Sequence, residues 1–363
     1  MLKHLNIRNF TVFAEADFEF SKGLNVIVGT NGTGKSHVLK LGYAVLKGLN
    51  SQLNEALAER YFTDTFLGTI LLDVFRPAPN NLDELIRRSN KVDDAKLAFT
   101  LYNETIRPGD FTCSSDGTAM ENPFIINVPS VPLSTEAATT LLNEIGQPVY
   151  IPAKEILTLG WILPASKQLV LPIDKSYLDL LTQLSGLSLQ QPEPAAATAI
   201  KELANDLKGE VQEEGGRYYL VYPKQPRMEM TMVAEGLRKF GTLQKLLANG
   251  SLTSKATLFW DEPEANLNPA LLRKLAAVLL KLAGQGYQII LATHSLFLLK
   301  EFHILAQREP TPIRYFGLYE GPDGATQVET TDDFETLEHI AALDAELAQT
   351  VDFQQALDHN DAN

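Results

Sequence analysis

The sequence predicts an α/β fold built on a mostly parallel sheet, and three observations carry that prediction. Leu24-Asn-Val-Ile-Val28 is an apolar, β-branched strand that runs into Gly29-Thr-Asn-Gly-Thr-Gly34-Lys35-Ser36, and an apolar-periodic helix follows to about Leu49. Two later apolar strands, Thr257 to Trp260 and Gln288 to Ala292, end in chemistry-bearing side chains, Asp261-Glu262 and His294. Strands alternate with helices through this part of the chain, the arrangement that lines parallel strands into one sheet.

The glycine stretch comes first because its chemistry is the most specific. Main-chain N–H groups from Asn31 to Ser36 can curl around an anion only where small residues let the backbone approach closely. A helix N-terminus adds partial positive charge at the same point. Gly-x-x-x-x-Gly-Lys-Ser between a strand and a helix is a phosphate-loop pattern. In it Lys35 reaches the β- and γ-phosphates and the Ser36 hydroxyl holds Mg²⁺. Average residue usage gives a chance match in a chain this long a probability on the order of one per cent. A nucleotide's phosphates and Mg²⁺ are therefore the expected ligands, with Gly29, Asn31, Gly32, Thr33, Gly34, Lys35, Ser36 and His37 as their contacts.

Bulk properties narrow the class. At 363 residues and 45% hydrophobic content, the chain can bury a large core as one domain or two lobes. No charged-then-apolar signal segment opens it and no apolar run approaches about 18 residues, which predicts a cytoplasmic protein without a membrane span. Its single cysteine, Cys113, excludes an internal disulfide and a thiolate metal cluster. A net charge of −14 argues against a surface-wide nucleic-acid grip, although a basic patch inside a dimer cleft stays open.

In chain order, Leu5–Phe10 and Ala16–Phe20 alternate as two strands before the loop strand. Arg8 and Asn9 are either nucleotide contacts or a solvated strand end. Ser51 to Phe62 and Leu82 to Arg88 read as helical, Lys96 to Tyr102 as β, and the Gly/Pro/Ser/Thr-rich residues 107–138 as surface loops. Pro148 to Glu155 reads as a buried strand ending in charge. Residues 176–208 are helical, broken at Gln190-Gln-Pro-Glu-Pro194, and a polar strand pair ends at Tyr222. Val233 to Leu247 is a helix with Leu237, Phe240, Leu243 and Leu247 on one face. Pro269 to Ala283 is another. No internal repeat and no sustained heptad appear.

A carboxylate at a strand end beside a phosphate loop holds the Mg²⁺ shell, which falls to Asp261, and the following Glu262 can orient or deprotonate attacking water. His294, after the next strand, is the candidate γ-phosphate sensor. The loop, Asp261-Glu262-Pro263-Glu264-Ala-Asn-Leu-Asn268-Pro269 and Ala292-Thr-His294-Ser295 resemble the Walker A, Walker B with D-loop, and switch-His motifs of ABC-type ATPases. The resemblance is greatest to the RecF, SMC and OLD branch, whose members include ATPase subunits of bacterial anti-phage systems. It covers roughly residues 1–50 and 148–300.

The resemblance implies an ABC-ATPase head with a mostly parallel sheet, an antiparallel β subdomain and a helical lobe. Residues 1–170 and 256–320 would form the nucleotide-binding lobe, 171–255 the helical lobe, and 321–363 an acidic C-terminal helix or tail. Heads of this kind pair around ATP, as a homodimer or higher oligomer, with a signature helix facing the partner's phosphate loop. The matching helix here opens at Val233-Ala-Glu-Gly236. Gly236 is kept, Ala234 stands where the family has Ser, and Arg238 or Lys239 is the expected compensating charge. Slow hydrolysis is the expected consequence. The family's Q-loop glutamine is not evident. Glu155, near Lys154, is given a Mg²⁺ or coupling role.

No Cys/His metal spacing, nucleophile elbow or acidic nuclease cluster lies outside these motifs, so the work is conformational or belongs to another protein. The leading reading is an ATPase sensor or scaffold for an effector subunit, a nuclease or toxin, in anti-phage defence. The alternative is a RecF-like DNA-repair clamp, for which Arg87, Arg88, Lys91 and Lys96 are the basic candidates. A transporter subunit is a third reading, opposed by the altered signature. In the tail, Asp332 to Asn363, Phe334, Leu337, Ile340, Leu347 and Val351 recur at helical spacing, either packing on the chain's own domain or docking a basic partner.

Overall fold

The computed structural model describes residues 1–59, 66–78, 81–87, 95–102, 109–113, 124–127, 139, 145–340, 345–346 and 348–354. The chain opens with β1 (Leu2–Phe10) and β2 (Phe13–Glu19), joined by a turn in which Asn9 and Thr11 take positive φ. β3 (Leu24–Gly29) leads through the glycine loop into α1 (Lys35–Glu59). The expected break near Leu49 does not occur; neither Gly nor Pro follows Gly48 before the helix ends, so nothing stops it. α2 (Phe66–Phe75) packs on α1 and was not foreseen, since a short apolar run has no decisive period. Leu82–Leu85 is one 3₁₀ turn capped by Asn81 rather than a helix to Arg88, because Ile86 turns back to bridge Phe10. Arg88 and Lys91 lie outside the described residues.

β4 (Ala95–Leu101), β5 (Gly109–Cys113) and β6 (Phe124–Asn127) extend the first pair into an antiparallel sheet ordered β2-β1-β4-β5-β6. The described parts of 107–138 are thus paired strands rather than loops, β-pairing overriding local turn chemistry; the remainder lies outside the described residues. Then come β7 (Val149–Ile151), α3 (Ile162–Ser166), α4 (Lys175–Leu184), α5 (Pro194–Leu207) and an antiparallel trio, β8 (Glu210–Glu214), β9 (Arg217–Val221) and β10 (Met228–Glu229). α6 (Glu235–Ala248), β11 (Thr257–Asp261), α7 (Pro269–Gly284), β12 (Gln288–Thr293), α8 (Leu296–Arg308), β13 (Ile313–Glu320) and β14 (Thr326–Thr331) follow.

The central sheet runs β14-β13-β3-β12-β11-β7, parallel throughout except for β14. β3, β11 and β12 are buried along their whole length, which is why they read as unbroken apolar runs. Each face of the sheet has its own core. Ile27, Phe259, Ile290 and Phe316 pack with α1 and the N-terminal antiparallel sheet. Val26, Leu258, Trp260 and Leu291 pack with α7, α8 and the segment from α4 to α6. Register sets Asp261 opposite Ala292, and Thr293 opposite Val28, so the three motif-bearing strands end side by side. Ligands of open α/β sheets gather at that carboxyl edge.

The tail departs from its helical reading. Leu337 and Ile340 are buried against the main core without forming a helix, because a 3₁₀ turn at Phe334–Thr336, capped by Asp333, sets their approach. Residues 345–346 and 348–354 are helical, with Val351 exposed; Leu347 lies outside the described residues.

Candidate functional site

The glycine loop bends through Gly32 and Gly34 at φ +87° and +89°, values that L side chains rarely adopt. Close packing adds a second constraint. A Cβ at Gly29 would come within 2.6 Å of the Leu318 carbonyl oxygen on β13, and one at Gly34 within 2.6 Å of Val12. Thr33 is buried and its hydroxyl donates to the Thr30 carbonyl oxygen at 2.9 Å, pinning the turn, while Asn31 and Gly32 are exposed at its rim. Lys35 Nζ donates to the carbonyl oxygens of Gly29 and Thr30, both at 2.8 Å. Burial lowers its pKa, opposed by the charges of Glu262, Asp261 and Glu264. The start of α1 and the end of β11 therefore share one electrostatic site.

Asp261 makes the junction. It is 8% exposed, takes a hydrogen bond from Ser36, and lies with Oδ2 3.5 Å from the Tyr150 hydroxyl. Its Oδ1 is buried without a hydrogen-bond partner. Burial raises its pKa, the Ser36 hydrogen bond pulls the other way, and Glu262 adds to the rise. An under-satisfied carboxylate oxygen beside a serine hydroxyl is a hard-oxygen pair that fits Mg²⁺. Among the described residues no cluster of three His, Cys, Asp or Glu could hold a metal; Mg²⁺ shared with phosphates needs none.

Glu262 follows at φ +45°, a left-handed conformation that costs on the order of 1–3 kcal/mol for such a residue. Two contacts hold it: its N–H donates to the Ala292 carbonyl oxygen at 2.9 Å, and its own carbonyl oxygen accepts from Lys239 Nζ at 2.8 Å. His294 Nδ1 lies 3.5 Å from both Glu262 Oε1 and Glu264 Oε1. Glu264, quoted within the Walker B run without a role, proves to be the fastener. Its Oε1 accepts from the Thr293 hydroxyl at 2.6 Å and the His294 N–H at 3.0 Å, joining the turn after β11 to the end of β12. Tyr150 was also missed; the signal available was its place in the strand Pro148-Val-Tyr-Ile.

Other expected residues sit differently. The His37 ring is engaged by Thr11, at 2.9 Å from Nδ1, and by the edge of Phe75, which leaves its main-chain N–H, in the first turn of α1, for the expected phosphate contact. Gly236 packs on the turn after β11, where a Cβ would come within 2.8 Å of the Asn266 carbonyl oxygen. Ala234 leaves α6 without a side-chain cap, so its first N–H groups are uncapped. Lys239 corrects its expected role: it is 3% exposed, and Nζ binds the carbonyl oxygens of Glu262 and Pro263 instead of reaching outward. Arg238 likewise turns inward, to the Val233 and Thr231 carbonyl oxygens and Glu155. Glu155 also accepts from the Leu157 and Thr158 N–H groups and the Thr158 hydroxyl in the turn at Leu157–Leu159, so it ties the segment after β7 to α6. Arg8 pairs with Glu15 on the exposed strand pair, the solvated-end reading.

Burial lowers the Lys239 pKa to about 8. The unfolded chain holds that proton more tightly, so this group makes stability rise with pH between about 8 and its ordinary 10.5. Urea unfolding across that interval is expected to show a steeper rise for the wild type than for Lys239→Met; equal slopes would contradict the assignment.

The chain is similar to known proteins over the same regions. The family model described as "AAA domain, putative AbiEii toxin, Type IV TA system" matches residues 148–300, and a second, described as "AAA domain", matches residues 4–105. No curated protein matches the sequence significantly. Among solved structures, the SMC head domain from Thermotoga maritima is 14% identical with a TM-score of 0.51, over 92% of this chain and 99% of that one. An SMC head bound to the C-terminal winged-helix domain of ScpA is 16% identical with a TM-score of 0.56, covering 92% and 98%. An SMC head with an extended coiled coil bound to the C-terminal domain of ScpA, from Pyrococcus furiosus, is 13% identical with a TM-score of 0.53, covering 97% and 99%. The fold is that of an SMC-head-like P-loop ATPase. The two AAA-domain matches fall on the parts of the chain that carry the phosphate loop and the later motif-bearing strands of that fold.

Proposed function

We propose that this chain binds Mg–ATP, hydrolyses it slowly, and pairs with a second copy around the nucleotide. The observation that supports this most is the meeting of Lys35 and Ser36 with Asp261, whose Oδ1 is buried and unpartnered. Lys35 would leave its loop carbonyls for the β- and γ-phosphates. Ser36 and Asp261 would hold Mg²⁺, which supplies charge neutralisation between the phosphate oxygens. Glu262, aimed by its strained backbone, takes a proton from water, and His294 beside it registers the γ-phosphate. The uncapped N-terminus of α6, with Gly236, offers N–H donors to a phosphate held by the partner copy. The nucleotide-binding parts are 1–170 and 256–320, with 171–255 carrying α6.

The dimer would act as sensor or scaffold for a cytoplasmic effector, a nuclease or toxin, in anti-phage defence. Support for that last step is the toxin named in the matched family description. Of the two described basic candidates for the DNA-clamp reading, Arg87 lies 3.9 Å from Asp323 and Lys96 is exposed on β4, too few to form a basic stripe. Among the described residues no helix is long and apolar enough to cross a membrane. Calorimetry with ATP is the test. Saturable binding is expected in Mg²⁺, weaker binding in EDTA, and a loss of at least about a hundredfold in Lys35→Ala, on the order of 3 kcal/mol. Wild-type affinity in that variant would overturn the reading.

A further inference from the structure

We propose that Glu264 is a positioning residue for turnover, holding the His294 ring so that Nε2 meets the γ-phosphate; this rests on the Mg–ATP reading above. Glu264 lies in the turn after β11 and is 9% exposed. Its Oε1 accepts from the Thr293 hydroxyl at 2.6 Å and from the His294 N–H at 3.0 Å. The Ser295 N–H donates in turn to the Thr293 hydroxyl oxygen at 3.0 Å. The Ser295 hydroxyl oxygen caps α8, accepting from the Leu298 N–H at 3.3 Å. One carboxylate thus fixes the main chain at His294 and, through Thr293, the start of the next helix. The same Oε1 lies 3.5 Å from His294 Nδ1, the distance at which Glu262 Oε1 also stands. With Nδ1 turned toward two carboxylates, Nε2 is the ring nitrogen left for a phosphate oxygen.

Fastening alone does not call for a charge here. A glutamine would offer Thr293 and His294 the same accepting oxygen without burying a carboxylate. The acid carries a cost instead, because its Oε2 is buried with no hydrogen-bond partner. Two cations bear on it: Lys239, on which Glu264 acts more strongly than any other carboxylate, and Lys35. What a carboxylate adds over an amide is attraction for the Nδ1 side of the imidazole. Glu262 cannot supply that attraction throughout, since a base that takes the proton of water loses its charge. Glu264 keeps its charge through that step and keeps the ring in place.

Steady-state hydrolysis of Mg–ATP by the full chain, measured as a double-mutant cycle, tests the proposal. Glu264→Gln is expected to lower kcat at least about tenfold while KM stays within about twofold. In a His294→Ala background the same substitution is expected to change kcat by less than about twofold, because the ring it positions is gone. A merely structural Glu264 would cost both backgrounds alike. Mg–ATP calorimetry on each variant reports that the site is folded. Should Glu264→Gln fail to fold, Glu264→Asp decides: it keeps the charge but withdraws it from His294, and the same fall in kcat is expected. A wild type that binds no Mg–ATP overturns the nucleotide reading and this proposal with it. Binding with undiminished kcat in the variant, or an equal fall in both backgrounds, overturns this proposal alone.

Discussion

Replacing Glu262 with Gln is expected to cut ATP turnover at least about a hundredfold while leaving Mg–ATP affinity within about twofold. Glutamine matches the shape but cannot take the proton from an attacking water. The backbone that aims this side chain is fixed by Ala292 on one side and Lys239 on the other, neither of which the substitution touches. The side chain itself stays one-third exposed, where water and substrate can reach it. With turnover blocked, the ATP-bound pair should accumulate, so sedimentation in Mg–ATP is expected to show dimer where the wild type returns to monomer. Steady-state phosphate release at the wild-type rate would remove Glu262 from its role.

Asp261→Asn should separate stability from function. Burial holds the Asp261 carboxyl above its ordinary range, so the wild-type contribution is most favourable below the ordinary 3.8 and declines as pH rises through the raised value. At neutral pH the charged form is disfavoured and one oxygen has no partner. Asparagine removes the charge at nearly constant volume, and a rise in melting temperature of about 2–4 °C in EDTA is expected. The same variant should lose the stabilisation that Mg–ATP gives the wild type, because a neutral amide is a poor Mg²⁺ ligand. A lower melting temperature in EDTA, or undiminished stabilisation by Mg–ATP, would contradict the assignment.

The sequence made the three motif-bearing strands plain, because fully buried parallel strands are continuous apolar runs and their reactive residues sit at the ends. It did not show which long cations point where. Lys239 and Arg238 follow Gly236 on a helix, and only the fold reveals that the turn after β11 and Glu155 capture them. Glu264 was visible as an acid in a run of acids, yet its partners, Thr293 and His294, belong to a different strand. Ile313–Glu320 is equally apolar but carries no motif, so nothing local marked it as the neighbour of β3. The tail's helical spacing was real as a pattern, but burying Leu337 and Ile340 needed a different backbone.

The placement of β3 between β12 and β13 has a consequence during synthesis. A nascent chain has made residues 24–29 long before Gln288–Thr293 and Ile313–Glu320 exist to flank them. At roughly 5–20 residues per second, the ribosome leaves that segment without its final neighbours for on the order of 15–60 s. Through that interval the N-terminal antiparallel strands are its available shelter, and the three motif-bearing strand ends can line up only after Gln288–Thr293 has been made.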